Sequence, residues 1–138
     1  MFDPVRDISW LAVIVATLAY YILGAIWFTP LFGRAWDTAI GFRRPKGHRF
    51  PPIYYVVPLI SSFVVTVATA WLVSALDIDL LSDALLLALI VGIGYAVSIS
   101  FNNALTPHTP RPLMLGAVTG TYHLLGIVMV SAILVSLK

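Results

Sequence analysis

The chain has 138 residues, no Cys and a formal net charge of +2, with 60% apolar and only 10% charged residues. Soluble domains carry about 25% charged residues, so a soluble fold could not cover this much apolar surface, and the lipid bilayer is the expected solvent. The missing Cys excludes disulfides, thiolate metal sites and Cys nucleophiles, and the small net charge argues against a nucleic-acid partner.

The 8 basic and 6 acidic residues, with no Glu among them, cluster and leave four charge-free stretches at 8–33, 50–76, 84–110 and 112–137. Each exceeds the roughly 20 residues that a helix needs to cross about 30 Å of hydrocarbon. None alternates apolar with polar residues as barrel strands do, so the expected fold is all-α, a four-transmembrane-helix bundle forming a single integral membrane domain over 1–138.

The first helix is expected over 9–29, with Asp7 or Ser9 as its cap and Thr29-Pro30 as its stop. It lacks the basic leader of a signal peptide and its apolar run is too long for one. The segment 30–52 is a basic loop, expected in the cytoplasm. Leu31, Phe32 and Trp36 suit the membrane interface, Arg34 the headgroups, and Gly41 the end of a short surface helix. Arg43, Arg44, Lys46 and Arg49 are expected to face lipid as a positive anchor. The second helix is expected over 53–76, with Pro58 marking its true start or a kink. The third is expected over 83–105, capped by Asp79 or Ser82 and stopped by Thr106-Pro107. The fourth is expected over 112–137, started by Pro110 or Pro112.

Orientation follows from the basic residues. The loops 30–52 and 106–111 hold Arg34, Arg43, Arg44, Lys46, Arg49 and Arg111, against Arg6 and Lys138 on the other side. Both termini and the acidic turn 77–83 are therefore expected outside.

The third helix carries Ala84, Ala88, Gly92, Ala96, Ser100 and Ala104 at four-residue spacing, and the fourth carries Gly116 and Gly120. Small residues so spaced let helix backbones approach closely. Close packing within one bundle is the expected use, a homodimer interface the alternative. Because four helices bury only some of their faces on one another, a homo-oligomer, with a dimer first, is expected in either case.

His123 is the one ionisable Asp, Lys, Arg or His side chain in mid-span, which makes it a candidate functional site. A neutral His needs partners for one donor and one acceptor. Depth matches it to Tyr95 on the third helix, to Thr17, Tyr20 and Tyr21 on the first, and to Thr119 on its own. A His–Tyr–Thr cluster is expected, as helix-joining hydrogen bonds or as a proton or ligand site. Asn102 and Asn103, near the end of the third helix, suit capping, and with Ser98 they sketch a polar path toward His123. No embedded carboxylate, paired carboxylates or metal-binding motif occurs, and His48 and His108 sit in loops far from His123 in depth. The expectation is a non-enzymatic protein with no catalytic residue, metal or cofactor and with an unknown substrate; a small transporter or channel is the alternative.

The runs Ser9-Trp10-Leu11-Ala12-Val13, Gly24-Ala25-Ile26-Trp27-Phe28 and Pro30-Leu31-Phe32-Gly33-Arg34-Ala35-Trp36, with Gly120, Tyr122, His123 and Gly126 late in the chain, resemble domain-of-unknown-function family 1761. Ser9 departs from the family's frequent Asn, and Phe28 from its usual Tyr. The resemblance implies a small four-helix protein of the bacterial cytoplasmic membrane and no established activity. Physically, Trp10 and Trp27 lie about 26 Å apart along a helix and are expected as belt anchors at the two interfaces. Trp10, Thr17 and Gly24 share a face that should meet another helix.

Overall fold

The computed structural model describes Asp3 and residues 6–138. Its elements are five helices: α1 (Trp10–Leu31), α2 (Gly33–Ile40), α3 (Ile53–Ala75), α4 (Leu81–Ala104) and α5 (Pro112–Ser136). The four long ones are apolar enough to cross a membrane, with mean hydropathy from 1.9 to 2.3. Among the described residues there is no strand.

Local chemistry sets most of the helix ends. The Ser9 hydroxyl accepts from the Ala12 N–H at 3.3 Å and caps α1. Pro30 does not stop this helix, contrary to expectation. The last turn, Trp27–Leu31, widens into a π-helix, and the Phe32 N–H bonds back to the Trp27 carbonyl at 2.7 Å. An i→i−5 pattern carries the chain past the N–H that Pro30 lacks. α2 then turns away, with Gly33 sitting where a Cβ would lie 2.9 Å from the Phe28 carbonyl. Gly41, at φ 73°, ends α2 in the left-handed conformation, and the Phe42 N–H caps the Asp37 carbonyl at 2.9 Å. The surface helix expected before Gly41 is α2, tied to the 105–111 loop by Arg111 N–H to the Ala39 carbonyl.

Pro58 lies inside α3 rather than at its start. The caps expected for α4 are unused: Leu80 precedes it with no side-chain bond, and Asp83 sits in the first turn, favourable to the helix dipole. At the turn between α3 and α4, Asp77 takes φ 50°, and the Lys138 ammonium pairs with Asp79 at 2.6 Å and with the Ile78 carbonyl at 2.9 Å. Pro112 opens α5 at a position where its missing N–H costs nothing.

α5 is the central element. It packs against α1, α2 and α3 on one side, and α4 lies almost wholly on α5. The four-spaced small residues of α4 face α5, with Ala84, Ala88, Gly92 and Ala104 buried and Ala96 and Ser100 half-buried. A Cβ at Gly116 would lie 3.0 Å from the Phe101 Cα, at Gly120 3.5 Å from the Val97 Cα, and at Gly92 3.5 Å from the Leu124 Cα. Both small-residue stripes therefore lie inside one chain.

Candidate functional site

α1 and α5 run antiparallel, and glycines let their rings share the narrow gap. Tyr20 lies over Gly126, where a Cβ would overlap its ring, and Tyr122 lies against Gly24, where a Cβ would come 2.7 Å from the phenol oxygen. The two tyrosines stack at 5.3 Å with 12° between planes, and the Tyr122 hydroxyl donates to the Tyr20 carbonyl at 3.4 Å. Trp27, at the start of the π-turn, donates its indole N–H to the Val118 carbonyl at 2.9 Å. It is 7% exposed, so the belt position expected for it is corrected: it is a core residue, whereas Trp10 is 45% exposed. Phe28 sets its edge on Tyr122 at 5.1 Å, and Trp36 of α2 meets Phe28 at 6.1 Å.

His123 stands at the inner end of this tier, and its Nδ1 lies 2.5 Å from the Tyr20 hydroxyl. The expected partnership with Tyr95 is not formed. Gly92 is buried and Ala96 half-buried against α5, while Tyr95, beside Ala96 in the π-helical stretch Gly92–Val97 of α4, is 64% exposed. Thr119 bonds the Leu115 carbonyl of its own helix at 2.8 Å. Asn102 and Asn103 are exposed at the end of α4; the Asn102 backbone carbonyl, not its side chain, holds the Leu105 N–H. Ser98 is exposed and bonds the Ile93 carbonyl, so no polar path runs from Asn102 through Ser98 to His123.

A cavity of 480 Å³ opens beside His123. It exists because α3 splays. Residues 53–61 of α3 are all exposed, and burial begins only at Ser62, continuing through Thr66, Thr69, Ala70 and Val73. The three buried hydroxyls donate to carbonyls of their own helix at 2.7–2.8 Å, so that close-packed half carries no unmet polar group from them. In the splayed half the gap is walled by Tyr20, Gly24, Phe28 and Tyr122 on one side and by Tyr54, Val57, Pro58 and Ser62 on the other.

The loop 42–50 roofs the gap. His48 packs edge-on against Phe50 at 4.7 Å, and Phe50 meets Tyr54 at 5.1 Å. Arg43, Lys46 and Arg49 are exposed, but Arg44 is not the lipid-facing residue expected. Its guanidinium pairs with Asp37 at 2.9 Å, lies 5.1 Å from the Phe50 ring centre and borders the cavity. Charge count alone could not separate Arg44 from its basic neighbours. The cue was Asp37, brought close once Gly41 reverses the chain.

No curated protein and no solved structure matches the chain. A family model, described as Protein of unknown function (DUF1761), matches residues 11–135. That stretch takes in nearly all of α1, the tier of rings and the whole cavity wall, and the chain belongs to this family.

Proposed function

We propose that this is an integral membrane protein that holds a small molecule, without catalysis, in the cavity between α1, α3 and α5. The observation that carries the reading is the 480 Å³ space reaching from the basic loop to His123. Ligand sites are commonly hollows of about 300–1,000 Å³, mostly apolar with a few placed polar groups. Here rings supply the walls, and Tyr20, Ser62, His123 and Arg44 supply the polar groups. The titratable side chains Tyr20 and His123 on its wall are hydrogen-bonded to each other at 2.5 Å, which favours binding over chemistry. In the same reading, the basic loop faces the cytoplasm of a bacterial cell, both termini face outward, and the chain self-associates through surfaces other than its small-residue stripes.

Transport is the second reading, and one observation favours it. Beyond His123, buried hydroxyls continue toward the other end of the bundle, and those of Thr17 and Ser131 have no partner among the described residues. They would suit a solute that passes through a second, oppositely open state.

Native mass spectrometry of the full chain, released from nanodiscs made with its own membrane lipids, tests the binding reading. A small-molecule adduct is expected on the wild type and absent from Ala25→Trp, which fills the gap from an exposed position on its wall. An adduct that survives Ala25→Trp refutes the cavity as its site. With no native Cys, Lys46→Cys and Lys138→Cys each give one labelling site. An impermeant maleimide should label Lys138→Cys on intact cells and Lys46→Cys only after lysis; the reverse pattern overturns the orientation.

A further inference from the structure

Resting on that binding reading, we propose that the cavity takes a neutral amphiphile from the bilayer, with a flat, quinone-type ring whose carbonyl oxygen accepts a hydrogen bond from His123 Nε2. The opening decides the route. Ala25 and Thr29 on α1, and Val57 and Ser61 on α3, border the gap and are all exposed, so it opens sideways where these helices meet lipid. A ring can enter there while its tail stays among the acyl chains.

Charge decides the ligand class. Arg44 is the one lining side chain among the described residues with a permanent charge, and the Asp37 carboxylate already neutralises it at 2.9 Å. The buried Nε of Arg44, which has no partner among the described residues, can be met by a neutral acceptor, whereas an anionic headgroup would bring a second negative charge beside the Asp37 carboxylate.

The hydrogen-bond balance decides the polar contact. Tyr20 is 2% exposed, and its hydroxyl has one hydrogen-bond partner among the described residues, Nδ1 of His123. A buried hydroxyl donates where an acceptor is present. Nδ1 therefore accepts, and the neutral imidazole carries its proton on Nε2. That N–H has no partner among the described residues, and His123 borders the cavity. Tyr20 thus leaves the His123 Nε2–H as an unmet donor beside the space, and the group that would meet it is an acceptor.

Shape decides the ring. From Phe28 to Tyr20 the wall runs eight residues, about 12 Å along α1. Phe28, Trp36, Phe50, Tyr54 and Tyr122 surround that depth, and aromatic walls favour a flat partner, stacked or edge-on.

The test titrates the purified full chain in nanodiscs with decylubiquinone, with decylbenzene as a matched ligand lacking carbonyls, and with oleate. Saturable binding is read by isothermal calorimetry at equal ligand-to-lipid ratios. Wild type should prefer decylubiquinone to decylbenzene, and His123→Phe should weaken decylubiquinone about two- to twelvefold, the worth of one hydrogen bond, while leaving decylbenzene unchanged. Tyr20→Phe, which frees the His123 tautomer, should narrow the same preference. Ala25→Trp should abolish binding of both. Equal affinity of wild type for the two ring ligands overturns the hydrogen-bond assignment even if His123→Phe does not fold. Binding of oleate in preference to decylubiquinone overturns the neutral-ligand assignment and leaves the cavity reading standing. Binding of all three that ignores Ala25→Trp refutes the cavity reading itself.

Discussion

Gly126→Ala measures how tightly α1 and α5 are held. A Cβ there would overlap the Tyr20 ring. The ring has no free direction, being stacked on Tyr122 at 5.3 Å and bonded through its hydroxyl to His123 at 2.5 Å. Either the helices separate or the ring swings out and breaks its bond. Forcing atoms into a packed core costs about 1–3 kcal/mol, and a hydrogen bond between helices in a membrane about 0.6–1.7 kcal/mol. The cheaper of the two sets the loss, which is therefore about 1–3 kcal/mol. Steric-trapping measurements of unfolding in bicelles can read it. With Tyr20→Ala already present the clash is gone, and Gly126→Ala should be neutral or gain the roughly 0.5–1 kcal/mol that Ala holds over Gly in a helix. Gly94→Ala, with nothing within 4 Å, is the control and should not destabilise. A loss under about 0.5 kcal/mol for Gly126→Ala in the wild-type background, or an equal loss with and without Tyr20, would refute this packing.

On the other face of α5, Gly116→Ala meets the Phe101 backbone at 3.0 Å and should cost more than Gly120→Ala, whose nearest neighbours lie at 3.5 Å; equal costs in the same assay would contradict the α4–α5 register. Trp27→Phe removes the bond to the Val118 carbonyl and should destabilise by about 1 kcal/mol or somewhat more, with no change in the exposure of α1 to lipid-soluble quenchers. A belt tryptophan would give the opposite pattern. Asp37→Asn leaves the Arg44 guanidinium without its counter-ion, at an expected cost of about 1.5–3 kcal/mol. Trypsin should then cut faster at Arg43, Lys46 and Arg49, and oleate should gain affinity for the cavity; unchanged cutting would mean the pair does not anchor the loop.

The helix limits were legible because strong local chemistry marks them. Pro51-Pro52 and Pro112 start α3 and α5 where expected, and Gly41 ends α2 through a left-handed residue that glycine adopts freely. Pro30 misled because a proline removes one N–H but not every way around it, and a π-turn skips that position. His123 was legible as a polar side chain at mid-depth, but its partner was not. Depth arithmetic yields a shell of candidates, and Tyr20 and Tyr95 both sit in it. Rotation about each helix axis chooses between them, and contacts such as Gly126 with Tyr20 and Gly92 with Leu124 set that rotation. Trp27 failed for the same reason: a spacing of about 26 Å places it at an interface depth but cannot say whether it faces lipid or the Val118 carbonyl.

The cavity follows from a difference in side-chain size along one three-helix contact. Toward the α3–α4 turn, α1 presents Ala12, Val13 and Ala16, and α3 presents Thr66, Thr69, Ala70 and Val73; these are small enough for all three helices to close up. Toward the basic loop, α1 and α5 place Tyr20, Trp27 and Tyr122 between them, and glycines at 24 and 126 keep that pair close despite the rings. α3 cannot follow both surfaces with one straight axis. Pro58 sits just before Ser62, where α3 changes from exposed to buried, and it denies the Tyr54 carbonyl its helical donor. The helix is therefore weakest where its burial stops, and a space remains there with His123 on its wall. The rings and glycines of α1 and α5 form one wall of that space, and the exposed first turns of α3 form the other. A ligand that gains its affinity from the rings and His123 would then be held by the α1–α5 wall, with the first two turns of α3 bounding the other side.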